Sequence, residues 1–373
     1  MKIVLVHDAH YAENGGAVAT RRLEEGLKKR GHKVLVVATD VKGEGYYAVK
    51  GKNPACFGDS LTKMNFLFGV PEKDVLREAF ADADIIQIQL PFYLGYGAAK
   101  MARAMHKPFF AGCHVQARNV NAAMGKDSKL LDVILSVVFN FFLFKRVPFV
   151  HCPSRFCAEL LKKDGVKCRL EVISNGIPGD YTPRKFARPE WFGDNFVLMS
   201  MGRHAPEKRQ LLLVEGVKRS KYADKITLLL CGRGQMSEQL IAEGAKLPNP
   251  PLVRFVTQEE KLQYLNTADL FVHTSLVDLE SLACLEAVGC GLPCLIGNSP
   301  HSAASQFALD QRFSFEYNNV DNLAEKINYW YENRGQLPDI RKQVSAMAEP
   351  YRFEKCLDQM EDLYREIIRV NGT

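Results

Sequence analysis

Two carboxylates, Asp278 and Glu286, stand eight residues apart in the run Asp278-Leu-Glu-Ser-Leu-Ala-Cys-Leu-Glu286. Leu282, Leu285 and Val288 recur at helical spacing, so a helix is expected from near Glu280 to the glycines 289 and 291. The run Asp269-Leu-Phe-Val-His-Thr-Ser275 before it reads as a buried strand, and Pro293 opens another apolar run. The order is strand, loop with a carboxylate, helix with a second carboxylate, and strand. A helix amino end offers unpaired N–H groups, so beside a loop carboxylate it can hold a phosphate and a polyhydroxyl group together.

The cations such a ligand needs stand in Gly202-Arg203-His-Ala-Pro-Glu207-Lys208-Arg209, directly after the apolar run Phe196–Met201. Arginine offers a planar fork to phosphate oxygens and lysine a compact charge. A glycine at the strand end lets the backbone approach closely. A solvated basic loop is the plainer account, but ligands of open α/β sheets bind beyond the carboxyl ends of strands. Gly232-Arg-Gly234 follows a further strand, Ile226–Cys231, in the same way.

The elements that must position these residues alternate in type. Ile3–Val6 is a strand, a loop carries Gly15-Gly16, a helix runs from about Ala17 to Arg30, and Val34–Ala38 is the next strand. Strands are also expected at 84–91, 108–111, 149–151, 253–256, 270–274 and 294–296. Helices are expected at 72–80, 98–105, 154–163 and 353–369. Alternation of this kind implies parallel, doubly wound sheets. No G-x-G-x-x-G and no G-x-x-x-x-G-K-[ST] occurs, so neither the dinucleotide nor the P-loop signature is present. Asp82 and Asp84 form an Asp-x-Asp pair, but it precedes its strand, at the wrong end for a metal-assisted site.

One stretch breaks the alternation. Leu130–Phe144 is apolar except for Asp132, Ser136 and Asn140, which are four apart and share one helical stripe. Lys126, Lys129, Lys145 and Arg146 flank it. Fifteen helical residues rise about 22 Å, short of a bilayer core of roughly 30 Å, so the stretch does not span. Two readings stay open: a core helix with a narrow polar face, or a helix lying in a membrane interface with basic ends on lipid head groups. Phe139, Phe142 and Phe144 are its expected lipid contacts.

The chain has 373 residues, which favours two domains. Its net charge of +6 is uneven: residues 1–180 hold 26 Lys and Arg against 18 Asp and Glu, leaving +8 there and −2 elsewhere. An anionic partner of the first half, such as a membrane surface, fits that excess; a solvated basic face is the plainer account. No aromatic-interleaved basic motif supports nucleic acid. The ten cysteines form no C-x-x-C pair or Cys/His cluster, and Cys284, Cys290 and Cys294 read as small core residues. The amino terminus reads as a strand rather than a signal peptide, which points to a cytoplasmic protein.

Taken together, these pieces resemble a GT-B glycosyltransferase, specifically glycosyltransferase family 4. The resemblance rests on the Gly15-Gly16 loop, Ser174-Asn-Gly-Ile177, Gly202-Arg203…Glu207-Lys208, Gly232-x-Gly234, Ala268-Asp269-Leu-Phe-Val, and Asp278…Glu286-Ala…Gly291-Leu-Pro293. It implies two doubly wound Rossmann-like domains facing across a cleft. The first, residues 1–180, would bind the acceptor; the second, 181–351, the nucleotide sugar; and residues 352–373 would cross back to the first.

The resemblance also implies a retaining hexosyl transfer from a nucleotide diphosphate sugar, commonly UDP-linked, without a required metal or other cofactor. Arg203 and Lys208 match the pair that neutralises the leaving diphosphate. Glu286 matches the ribose-binding glutamate. Asp278 takes the position that contacts the transferred sugar, where the family usually has glutamate, and Glu280 competes for that role. The amides of Leu282 and Ala283 would face the donor, with Gly202 and Gly232 in the same site. Gly16 matches the glycine that approaches the donor phosphates, and His114 a histidine near the reaction centre. No first-domain carboxylate fits a covalent nucleophile; Asp8 and Glu13 lack a partner pattern. The family's usual account is same-face attack assisted by the leaving phosphate.

The expected acceptor is a membrane lipid or a lipid-linked glycan, met at the inner face of the membrane through peripheral contact by 126–146. Two alternatives share the fold: a nucleotide-sugar epimerase, and a non-catalytic partner protein with a damaged donor site.

Overall fold

Near-continuous apolar runs, rich in Val, Ile and Leu, make strands that need cover on both faces, and such strands assemble in parallel. The computed structural model of the chain, which describes residues 1–53, 66–123 and 128–371, contains two sheets built this way. The chain divides into two compact units, Met1–Asn175 with Glu354–Thr373, and Gly176–Phe353.

The first unit holds β1 (Lys2–Val6), β2 (Lys33–Ala38), β3 (Tyr46–Ala48), β4 (Gly51–Lys52), β5 (Phe68–Gly69), β6 (Ile85–Ile88), β7 (Phe109–Gly112), β8 (Phe149–Cys152) and β9 (Arg169–Val172). Its main sheet is parallel in the order β3-β2-β1-β6-β7-β8-β9, and β4 pairs antiparallel with β5. The second unit holds β10 (Phe196–Met201), β11 (Ile226–Cys231), β12 (Leu252–Arg254), β13 (Leu270–His273), β14 (Cys294–Gly297) and β15 (Ser314–Phe315), in the order β12-β11-β10-β13-β14-β15. Each sheet reverses its winding once, between β1 and β6 and between β10 and β13. Loops leaving the carboxyl ends of the strands at such a point diverge and open a crevice.

In the second unit β10 and β13 lie side by side, with Leu198 opposite Leu270 and Met199 opposite Phe271. Their side chains share one core with the helices Val320–Glu332 and Leu337–Met347, and Trp330 stacks on Phe313 with ring centroids 4.1 Å apart. The terminal helix Phe353–Asn371 belongs, from Glu354 on, to the first unit. There the buried Tyr364 hydroxyl donates to Gln87, and Arg30 pairs with Glu354 and Asp358. Asp82 and Asp84 sit at the amino end of β6, where Asp84 accepts the Lys2 amide at 2.7 Å and Asp82 pairs with the Lys2 ammonium at 3.2 Å.

The stretch between β7 and β8 is a helix, Lys129–Phe139, continued by a wider turn of helix, Asn140–Phe144. Lys126 lies outside the described residues. The core-helix reading fails, because this helix is turned inside out. Its polar stripe faces the protein: Asp132 accepts from Arg118 at 3.0 Å and Asn121 at 2.6 Å, Ser136 bonds Asp164, and Asn140 is buried. Its apolar stripe faces outward, with Leu130 70%, Val137 61% and Phe141 56% exposed. Of the three phenylalanines expected at lipid, only Phe142 is exposed; Phe139 and Phe144 are buried, and Phe139 packs edge-on against Phe92. The five residues Asn140–Phe144 complete a wider turn than an α-helix does, which carries Phe141 and Phe142 outward and Phe144 inward. No helix among the described residues is long and apolar enough to cross a membrane.

Candidate active site

Two loops leave the switch point of the second sheet, one after β10 and one after β13. Gly202 ends β10 at φ +145°, in the region that favours glycine. A Cβ on Gly232 would stand 1.9 Å from the Gly202 carbonyl oxygen, so a glycine at 232 is what lets these turns touch. The β10 loop then places Arg203, whose guanidinium donates to Glu207 at 2.8 Å, and a short turn, Pro206–Lys208.

The β10 and β13 loops are stitched together. The Thr274 hydroxyl donates to the Lys208 carbonyl at 2.8 Å, and the Leu276 amide to the Glu207 carbonyl at 2.8 Å. Those bonds hold the Lys208 side chain over the β13 loop, where its ammonium stands 2.8 Å from Asp278 Oδ1 and 3.3 Å from Ser275 Oγ. The other Asp278 oxygen faces His273 Nε2 at 3.1 Å. Burial alone would raise the Asp278 carboxyl; Lys208 and His273 outweigh it and hold the group well below the usual carboxylate range. His273 shows the converse: burial lowers it, but Cys284 and Asp278 raise it more.

After Asp278 the chain passes Glu280, which is buried, and turns into the helix Leu282–Gly289. Ser281 caps this helix from a left-handed conformation, φ +76°, its hydroxyl accepting the Cys284 amide at 3.4 Å. Leu282 and Ala283 form the first turn, whose N–H groups are the orphan donors of a helix start. Glu286, one turn further, is buried and faces Lys261 at 3.4 Å, and that ammonium lies over the Tyr181 ring. Lys208 and Asp278 are therefore brought into contact, with Arg203 anchored on the loop that carries Lys208. Cations and a helix start can receive a polyanion there, and ionised carboxylates can accept from hydroxyls.

Sequence reasoning missed four groups here. Lys261 and Tyr181 carried no motif, and His273 and Ser275 lay inside the run 269–275, read only as a buried strand. A histidine within an apolar strand was the one available signal, since a buried imidazole needs partners.

In the first unit, Asn14 caps the helix Gly15–Lys29 and accepts the Ala17 amide at 2.9 Å. Gly16 packs on His114, and a Cβ there would stand 3.2 Å from the His114 Cβ. The preceding loop is held firmly: Asp40 accepts the His10 and Tyr11 amides at 2.7 and 2.8 Å, and His10 pairs with Glu24 at 2.7 Å. Burial, with His151 and His7 nearby, keeps His114 far below the usual imidazole range, so it is a neutral donor or acceptor. Among the described residues no group of three or more His, Cys, Asp or Glu side chains is arranged to hold a metal ion.

Two family models match the chain, Glycosyltransferase Family 4 over residues 13–180 and Glycosyl transferases group 1 over residues 182–348. No curated protein matches it. Among solved structures it is similar to the sucrose-phosphate synthase of Thermosynechococcus elongatus, 15% identical over 99% of this chain and 100% of that one, with a TM-score of 0.78. It is also similar to Anabaena Alr3699/HepE in complex with UDP-glucose, 16% identical over 98% of this chain and 100% of that one, with a TM-score of 0.76. The catalytic domain of cholesterol-alpha-glucosyltransferase from Helicobacter pylori matches at 38% identity over 42% of this chain and 99% of that one, with a TM-score of 0.39.

Proposed function

The chain belongs to the GT-B glycosyltransferases of the family 4 kind, and from that premise we propose a retaining transfer of a hexose from a UDP-sugar to a membrane lipid or lipid-linked glycan. The observation that carries the donor half is the Lys208–Asp278 contact at the switch point, with Arg203 on the same loop as Lys208. A cation and an ionised carboxylate side by side suit a ligand that is anionic at one end and polyhydroxylic at the other. The UDP base follows the Anabaena protein, whose structure holds UDP-glucose.

On this reading Arg203, Lys208 and the start of the helix Leu282–Gly289 face the diphosphate. Glu286 accepts from the ribose hydroxyls and Asp278 from the transferred sugar. As the anomeric C–O bond breaks, its electron pair and the growing charge pass to the phosphate oxygen, which the two cations stabilise. The acceptor hydroxyl attacks the same face and its proton passes to that oxygen. Gly202 and Gly232 leave room for the loops, and Gly16 and His114 are the groups offered by the first unit.

The acceptor half rests on the inverted helix. An outward stripe of Leu130, Val133, Ile134, Val137, Val138, Phe141 and Phe142, flanked by the exposed Lys129, Lys145 and Arg146, fits an anionic membrane interface. The enzyme would then work as a peripheral protein on the cytoplasmic face.

Incubation with UDP-sugars and vesicles carrying diacylglycerol, ceramide, cholesterol or polyprenyl-linked acceptors tests the proposal. Wild type transfers sugar to one of them, and Arg203→Ala loses about 10²–10³-fold in turnover, the scale of one lost transition-state donor. Absence of turnover together with unchanged donor binding by Arg203→Ala would falsify it. Epimerised donor formed without acceptor would assign an isomerase.

A further inference from the structure

His273 is the last residue of β13, opposite Ile296 of β14, and only 5% exposed. The strand around it is Leu270, Phe271 and Val272, so an apolar side chain would serve packing at that position. An imidazole there is desolvated and must be repaid by partners. Its Nδ1 has no hydrogen-bond partner among the described residues, whereas Nε2 lies 3.1 Å from Asp278 Oδ2 and 3.0 Å from Ser281 Oγ. The bonding pattern assigns the ring proton to Nε2, and that proton is kept in the imidazolium as well.

We infer that His273 is the positioning residue of the donor site, holding Asp278 in the orientation that meets the transferred sugar. The inference rests on the glycosyltransferase reading above. Lys208 donates to Asp278 Oδ1, while Oδ2 accepts no hydrogen bond and stands in ionic contact with His273 Nε2 at 3.1 Å, the hydrogen bond of Nε2 being the one to Ser281. Oδ2 is buried, so the lone pair left for a sugar hydroxyl is on Oδ1. An incoming diphosphate draws on Lys208, whose ammonium then divides its attraction. His273 cannot be drawn away, since it is fixed in a strand and its Nε2 is also bonded at Ser281. Ser281 is itself held in a left-handed conformation that few non-glycine residues adopt, and its cap bond to Cys284 keeps it there. The anchoring contact of the sugar-reading carboxylate thus comes from the sheet and not from the mobile end of a lysine. That contact suits an aspartate, which is one methylene shorter than a glutamate and must be set by its surroundings.

Three substitutions test this: His273→Leu, His273→Asn and His273→Gln, each assayed for UDP-sugar turnover and for UDP affinity. The glutamine amide reaches the position of Nε2; the asparagine amide reaches only that of Nδ1. Leucine and asparagine are expected to lower kcat/KM for the donor about 10- to 100-fold, the scale for losing one close polar contact to a charged group, while UDP affinity stays within about threefold. Glutamine restores most of the wild-type value. A leucine or asparagine variant within about twofold of wild type, or a glutamine variant as poor as they are, overturns the inference. If the leucine variant does not fold, the asparagine–glutamine pair decides alone. Wild type that turns over no nucleotide sugar ends the underlying reading and this inference with it; unaffected variants of an active wild type end only the inference.

Discussion

The two sheets wind alike, yet the ends of their strands carry opposite chemistry. In the second unit the groups after β10 and β13 are ionised: Lys208 and His273 hold the Asp278 carboxyl well below its usual range. In the first unit three histidines, His7 and His114 just after β1 and β7 and His151 within β8, are neutral, although His10 in the loop after β1 pairs with Glu24. Burial first, and then His10 and Arg21, push His7 down to about 3; burial pushes His151 down to about 4 and His114 well below its usual range. Asp8 is the counterpart of Asp278. Burial raises it to about 7, and the Gly69 amide that it accepts at 2.8 Å only partly offsets that. One residue type in two buried settings shifts in opposite directions because one setting supplies cations and the other only amides. Topology therefore fixes where ligands can meet the chain, and the counter-charges in the loops fix which kind.

The sharpest way to break that contrast is Asp278→Asn, which keeps the shape and removes the charge. Lys208 then faces an amide in a partly buried site. Turnover of the donor is expected to fall about 10²–10³-fold. Stability should fall by about 2–3 kcal/mol, the scale for hydrogen bonds to charged groups, read from the shift of the urea midpoint at constant slope. Near-normal turnover by the Asp278→Asn enzyme would mean that the ionised cluster is structural only.

The ionised cluster was half legible in the sequence. Asp278, Glu286, Arg203 and Lys208 stand at strand ends and helix starts, and local periodicity is enough to place them there. Lys261 was not legible as a partner, because it meets Glu286 from a separate helix; His273 stands only five residues before Asp278, but nothing in its apolar strand marks it as a partner. The long central strands followed from their apolar runs, whereas β3, β4, β5, β9 and β15, which are short or at sheet edges, were not assigned. Nor were the helices Val320–Glu332 and Leu337–Met347, whose apolar positions are spread among charged and amide residues. The stretch 130–144 shows the limit most plainly. Its polar stripe was readable from the spacing of Asp132, Ser136 and Asn140, but periodicity does not say which stripe faces the protein. Arg118, Asn121 and Asp164 decide it, by giving those three residues buried partners.

That orientation supplies the next test. Val137→Ser, Phe141→Ser and Phe142→Ser together remove outward apolar surface without touching the inward stripe. Flotation with vesicles containing anionic lipid should recover the wild type, and this triple variant should stay with the soluble fraction. The same vesicles made without anionic lipid should recover less wild type, because the flanking Lys129, Lys145 and Arg146 lose their attraction. Stability should change little at Val137 and by about 1 kcal/mol at each phenylalanine, since Phe142 packs edge-on against Tyr96 and the Phe141 ring lies under the Arg146 guanidinium. Equal recovery of wild type and variant would remove the membrane from the proposal and leave the donor chemistry untouched.

The last test concerns Asp8 and reads stability against pH, with no turnover involved. Its carboxyl titrates at about 7 in the fold, against about 4 in an unfolded chain. Below about pH 4 both states hold the proton and its contribution to stability is complete. Between about 4 and 7 the unfolded chain releases the proton while the fold keeps it, so this contribution declines as pH rises and levels off above 7. Asp8→Asn has no proton to release. The thermal midpoint of the variant should therefore gain on that of the wild type between pH 4 and 7, by roughly ten degrees, since moving the carboxyl from about 4 to about 7 is worth about 4 kcal/mol, and then run parallel to it. His7 and His151 titrate in the opposite sense, being lowered in the fold, but they are common to both proteins and cancel in the difference. A difference that stays flat across this range would place a counter-charge beside Asp8 in solution, and the neutral character of the first sheet's end would have to be given up.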